Sequence, residues 1–105
     1  MHVISKQPFE NAKKLYPNDS DALDATYKVL KESKAKSPDE LRKVFPSLDN
    51  FKYVDKWWVI DIGGNNLRLI AFIEFVGGRC FIKNIVSHAE YDRITKQYRE
   101  KKLRR

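Results

Sequence analysis

An α+β fold is expected for this 105-residue chain, and three observations point to it. Between Trp57 and Tyr91 lie three short runs rich in Trp, Val, Ile and Phe, separated by GGNN and GG, the pattern of a strand meander. The N-terminal half carries apolar residues at helical spacing, cut into segments by prolines. Ser87 and Glu90 then form a capping box, so the last strand should pass directly into a helix.

In chain order, His2 to Ser5 is a short apolar segment able to add a strand to the meander. Pro8 suits the first turn of a helix because it lacks an amide that would be unpaired there, and Phe9, Ala12, Leu15 and Tyr16 follow at helical spacing. Pro17 disfavours helical angles in the residue before it, so that helix should end near Tyr16. Asn18, Asp19 and Ser20 offer N-caps for a second helix to about Ser33, with an apolar stripe through Ala22, Leu23, Ala25, Tyr27, Val29 and Leu30. Ser37-Pro38-Asp39-Glu40 is another capping box and starts a short helix through Leu41 and Val44 that Pro46 stops. Ser47 to Lys56 reads as a connection anchored by Phe51 and Tyr53.

In the meander, Gly64-Asn65 or a neighbouring pair, and Gly77-Gly78, can take the positive φ angles of tight primed turns. A first hairpin centred between Gly64 and Asn65 sets Arg68 opposite Asp61. A second turn at Gly77-Gly78, or over Gly77 to Cys80, sets Arg68 opposite position 87 or 89, at the Ser87-His88 corner. The final helix should run from about His88 to Arg99, with Tyr91, Ile94 and Tyr98 facing the sheet and His88 and Tyr91 adjacent on its first turn. Its N-terminal amides add an anion site. Lys101 to Arg105 is expected to be a flexible basic tail.

Length and an apolar content of 42% suit a single domain over residues 1–105. One cysteine, Cys80, rules out a disulfide framework and suits a reducing cytoplasm; inside an apolar run it reads as a buried thiol. No run of about 18 apolar residues suggests a membrane span. Charge is distributed unevenly. From Gly78 onward there are nine basic and three acidic residues, which is six of the net seven positive charges and the electrostatic footprint of a polyanion partner. Arg79, Lys83, Arg93 and Lys96 on this segment are candidates for RNA contact.

Cleaving RNA without a metal needs a base for the 2′-hydroxyl, a cation for the charge building on phosphorus and an acid for the departing 5′-oxygen. Arg68 is the natural phosphate clamp, its fork always charged. His88 can take or give a proton near neutral pH, and Tyr91 stands beside it. Structural roles compete with each of these: Arg68 paired with Asp61 across the hairpin, His88 a polar surface residue, Tyr91 a core aromatic, Lys83 an ordinary exposed strand residue. Metal and cofactor chemistry is not expected. There is no clustered Cys/His spacing, no GxxxxGK[ST] loop and no convergent carboxylates within residues 57–91, and GGNN is a hairpin turn. A serine-based triad lacks an evident acidic orienter beside His88.

The words VFPSLDNFKY, WWVIDIGGNNLRLIAFIEF and CFIKNIVSHAEYD together resemble the HigB family of bacterial toxins within the RelE-like superfamily, over nearly the whole chain. The resemblance implies helices packed on one side of a small antiparallel sheet, with a short C-terminal helix, in a ribosome-dependent mRNA endoribonuclease that arrests translation. It implies a HigA-type helix-turn-helix antitoxin that neutralises the toxin and, together with it, binds operator DNA. Arg68 matches the family's basic residue on the central strand, and His88 and Tyr91 match the SHAEYD motif. A non-catalytic RNA- or ribosome-binding module is the competing reading, which explains the charge but not the Arg68, His88 and Tyr91 grouping.

Overall fold

The structure, a computed structural model, describes residues 1–103, with side chains described as far as Lys101. Its elements are β1 (His2–Ile4), α1 (Gln7–Leu15), α2 (Ser20–Glu32), α3 (Pro38–Arg42), β2 (Asp49–Asn50), β3 (Trp57–Ile62), β4 (Leu67–Glu74), β5 (Arg79–Ser87) and α4 (His88–Leu103). The fold is α+β, as expected. The serine half of both capping boxes forms: the Ser37 hydroxyl accepts the Glu40 amide at 3.3 Å and the Ser87 hydroxyl accepts the Glu90 amide at 3.2 Å. Helix α4 continues to Leu103, past the Arg99 end expected, so the basic run begins as helix; Arg104 and Arg105 lie outside the described residues.

The sheet has the order β1-β5-β4-β3-β2. The meander is antiparallel, and β1 joins its edge in parallel with β5, so the sheet is mixed rather than wholly antiparallel. Strand β2 was not foreseen. Two residues of the 47–56 connection pair with Trp58 and Val59 and give the sheet its other edge.

Alternation along the strands produces two cores. Ile60, Ile62, Leu67, Leu69, Ala71, Ile73 and Cys80 face α1 and α2, where Phe9, Leu23 and Leu30 complete the larger core. Val59 and Ile70 face the other way, onto Phe51 and the inward stripe of α4, Tyr91, Ile94 and Tyr98. Helices therefore lie on both sides of the sheet rather than on one side as expected, because α4 leaves β5 on the face opposite the N-terminal helices. Among the described residues no helix is long and apolar enough to cross a membrane.

Cys80 has no exposed surface, and burial pushes its thiol up to about 12. The folded protein is expected to resist iodoacetamide at pH 8 and to be alkylated only after unfolding in denaturant; mass spectrometry of the two samples checks this.

Candidate active site

The first hairpin has the expected register, with Arg68 opposite Asp61. Its loop is longer than a two-residue turn: Gly63, Gly64 and Asn65 all have positive φ, and Asn66 completes the return. The second hairpin differs. Its turn falls on Phe75 to Gly78, and a bulge between Ile70 and Ala71 leaves Lys83 without a partner, so Arg68 lies opposite Val86 rather than position 87 or 89. The turn sits earlier than the glycine pair suggested, and the bulge restores part of the offset. Val86 and His88 are two residues apart, so the imidazole still reaches the guanidinium.

Arg68 is the centre of the corner, its side chain only 11% exposed. Nε stands 3.1 Å from Asp61 Oδ1, Nη1 donates to the Asn65 carbonyl at 3.1 Å, and Nη2 lies 3.0 Å from His88 Nδ1. The Tyr91 ring covers it, with Cζ 5.7 Å from the ring centroid. A guanidinium only donates, so Nδ1 of His88 must be the acceptor and its proton resides on Nε2. Nε2 faces Asp92 Oδ2 at 3.4 Å, one helical turn further along α4. The pairing of Arg68 with Asp61 and its contact with His88 thus coexist.

Asp92 is the residue that sequence reasoning missed, having found no acidic orienter for His88. Its signal was the i,i+4 spacing inside SHAEYD. The role of the Asn65 carbonyl was also missed, because a backbone oxygen leaves no mark in the sequence. Tyr91 has its pKa raised above the ordinary 10.0, chiefly by burial; Arg68 opposes the shift, while Asp49, Asp61 and Asp92 add to it.

The other basic candidates are spread out. Lys83 is exposed on the α4 side of the sheet, its Nζ 5.8 Å from the Trp57 ring centroid. Arg79 shares that face but sits at the far end of β4 and β5, paired with Glu74 at 3.1 Å. Arg93 pairs with Glu90 at 2.8 Å, and both it and Lys96 are exposed on the side of α4 turned away from Tyr91 and Ile94, so neither joins the corner. Among the described residues no cluster of three metal-ligating side chains exists.

The loop that presents the Asn65 carbonyl depends on Gly63. At φ +66° an added Cβ would stand 2.4 Å from Asp19 Oδ1, the atom that accepts the Asn66 side-chain amide at 3.3 Å. Gly64, at φ +62°, has open space around it. Both alanine variants incur the left-handed backbone penalty of about 1 kcal/mol, but only Gly63→Ala should also break the Asp19 contact. Denaturant melts are expected to show Gly63→Ala as the less stable variant by about 1 kcal/mol.

A family model described as HigB toxin, the RelE-like toxic component of a toxin-antitoxin system, matches residues 19–94. A protein of Escherichia coli O6:H1 named mRNA interferase HigB is 57% identical over 102 residues, 97% of this chain and 99% of that protein. The mRNA interferase toxin HigB of Escherichia coli K12 is 40% identical over 101 residues, covering 96% of this chain and 97% of its own length. A Shigella flexneri protein named mRNA interferase HigB matches with the same identity and coverage. Matched by that family model over residues 19–94 and 57% identical to a relative along nearly its whole length, the chain belongs to the HigB toxin family.

Proposed function

We propose that this protein is the toxin of a toxin-antitoxin system and an mRNA endoribonuclease, with residues 1–105 acting as one domain and the Arg68, His88 and Tyr91 corner as its metal-independent active site. The observation that carries the reading is the 3.0 Å contact between Arg68 Nη2 and His88 Nδ1, which joins a fixed cation to a proton-transfer group whose second nitrogen faces a carboxylate. The relatives' names, mRNA interferase, support the substrate and the reaction.

The free site has its base covered. Nδ1 is occupied by Arg68 and Nε2 carries its proton towards Asp92. A scissile phosphate arriving at Arg68 competes for Nη2, and drawing that donor onto a phosphate oxygen frees the Nδ1 lone pair. His88 then takes the 2′-hydroxyl proton, the 2′-oxygen forms a bond to phosphorus, and the bond from phosphorus to the 5′-oxygen breaks. Tyr91 gives its proton to the leaving oxygen. The products are a 2′,3′-cyclic phosphate and a 5′-hydroxyl, and Asp92 stabilises the imidazolium formed on the way.

A tyrosine whose pKa is raised stays protonated through the neutral range, as an acid must. The sign also sets a stability prediction. Because the folded state holds this proton more tightly than the unfolded chain, the contribution is present below pH 10 and is lost as pH rises beyond it. Tyr91→Phe should remove that part of the alkaline destabilisation, seen by comparing denaturation midpoints at pH 8 and above pH 10, while lowering cleavage about a hundredfold.

The partner set proposed is a HigA-type helix-turn-helix antitoxin, mRNA and the ribosome, with operator DNA reached through the antitoxin, in the cytoplasm. Lys83, with Arg79, Arg93 and Lys96, supplies the charge that draws the polyanion in. Mapping transcript 5′ ends after brief induction tests the activity. Discrete new ends inside coding regions are expected, and translation arrest without any new end would show a binding module instead.

A further inference from the structure

The α4 side of the sheet is covered only in part. Its rungs run from Asp61, Arg68 and Val86 at the active corner, through Val59, Ile70 and Asn84, to Trp57, Phe72 and Phe81. Helix α4 and Phe51 cover Val59 and Ile70. The third rung is aromatic across all three strands, and each of its residues is partly exposed. Phe72 and Phe81 lie against each other with ring centroids 5.7 Å apart, yet among the described residues neither belongs to either hydrophobic core. Two aromatic rings on a sheet face that contribute to no core need a different explanation.

The surrounding chemistry suggests one. The bulge in the β4 and β5 pairing turns Lys83 out on this side, its ammonium over Trp57, and bulges next to active sites commonly re-aim a side chain in this way. Arg79, paired with Glu74, closes the far end. From Val86 to Phe81 the strand spans about 16 Å at 3.3 Å per residue, so the aromatic rung lies a short distance along the same face from Arg68.

We propose that Phe72 and Phe81 form a base-stacking platform for single-stranded RNA next to the scissile phosphate, bordered by Trp57, which packs on Phe51 and Tyr98, with Lys83 holding the backbone between platform and phosphate. The proposal rests on the endoribonuclease reading above. An aromatic sheet face flanked by cations is a general solution for unstacked bases, since every base has a π-face and the phosphates need positive charge. Continuity with the active corner on one face, and the positive charge around it, favour RNA over an apolar protein partner.

The experiment maps cleavage of one reporter mRNA in cells after brief induction of the full chain, comparing wild type with Phe72→Leu, Phe81→Leu and Phe81→Tyr. Leucine keeps apolar packing but removes the π-face, and tyrosine keeps it. Each leucine variant should lower new 5′ ends about tenfold, the scale of one lost base-aromatic stack. Phe81→Tyr should cut more than Phe81→Leu does, and melting temperature and neutralisation by the antitoxin should not change in any of the three. Undiminished cleavage in both leucine variants overturns the platform, and so does cleavage kept together with lost neutralisation, which would make this face the antitoxin's. An equal fall in the leucine and tyrosine variants that tracks melting temperature also overturns it, in favour of packing. Absence of new ends in wild type rejects the endoribonuclease reading itself.

Discussion

Arg68→Lys is expected to abolish growth arrest although it keeps the positive charge. The guanidinium serves three partners in three directions at once: the Asp61 carboxylate, the Asn65 carbonyl and His88 Nδ1. An ammonium is a single point on a flexible stem and cannot span them. Drawn to Asp61, the lysine leaves His88 without the donor that holds its tautomer and leaves the phosphate without a fork. Cleavage should fall at least about a hundredfold, the scale of removing one preorganised donor from a developing negative charge. The fold should survive with a loss on the order of 1–3 kcal/mol, because the lysine still neutralises Asp61. Arg68→Ala is the poorer probe, since it strips the partner from that carboxylate as well. Growth curves after induction, a denaturant melt and co-purification with the antitoxin check the three parts. Arrest at the wild-type level would show that charge alone suffices and that the three-way geometry is unimportant.

Much of this arrangement was legible in the residues because it rests on local rules. The two capping boxes locate the starts of α3 and α4 without any tertiary information, and the GGNN loop sets Asp61 against Arg68 by counting. What escaped was set by non-local packing. The second hairpin turns on Phe75 to Gly78, centred one residue before the glycine pair, and a bulge at Lys83, which no composition signal marks, then shifts every pairing beyond it and recovers part of the offset. The two-residue β2 is strand only because Val59 and Trp58 offer it an edge, and β1 pairs in parallel with β5, the last strand of the chain and far from it in sequence. The contact between Arg68 and His88 survived the register error for a physical reason. His88 stands just past the end of β5, two residues from Val86, and a long guanidinium reaches it from that rung.

His88→Gln separates proton transfer from architecture. Glutamine has no basic nitrogen, and its flexible stem lets the amide oxygen turn towards Arg68 Nη2, while Asp61 and the Asn65 carbonyl go on holding the guanidinium. The side chain it replaces is 55% exposed and belongs to neither core, so stability should change by no more than about 0.5 kcal/mol. An amide cannot take the 2′-hydroxyl proton, and cleavage should fall about 10²- to 10⁴-fold, the range for losing a general base. Asp92→Asn provides the contrast. It keeps a polar group of the same shape beside Nε2 but removes the carboxylate proposed to stabilise the imidazolium, so its loss should be smaller than that of His88→Gln. If Asp92 acts through His88, the double variant should cut no less than His88→Gln alone, because a carboxylate that steadies an absent imidazolium has nothing left to contribute. Additive losses would instead place Asp92 in an independent role. Full toxicity in His88→Gln would move the base away from this imidazole, leaving Arg68 to act with Tyr91 alone.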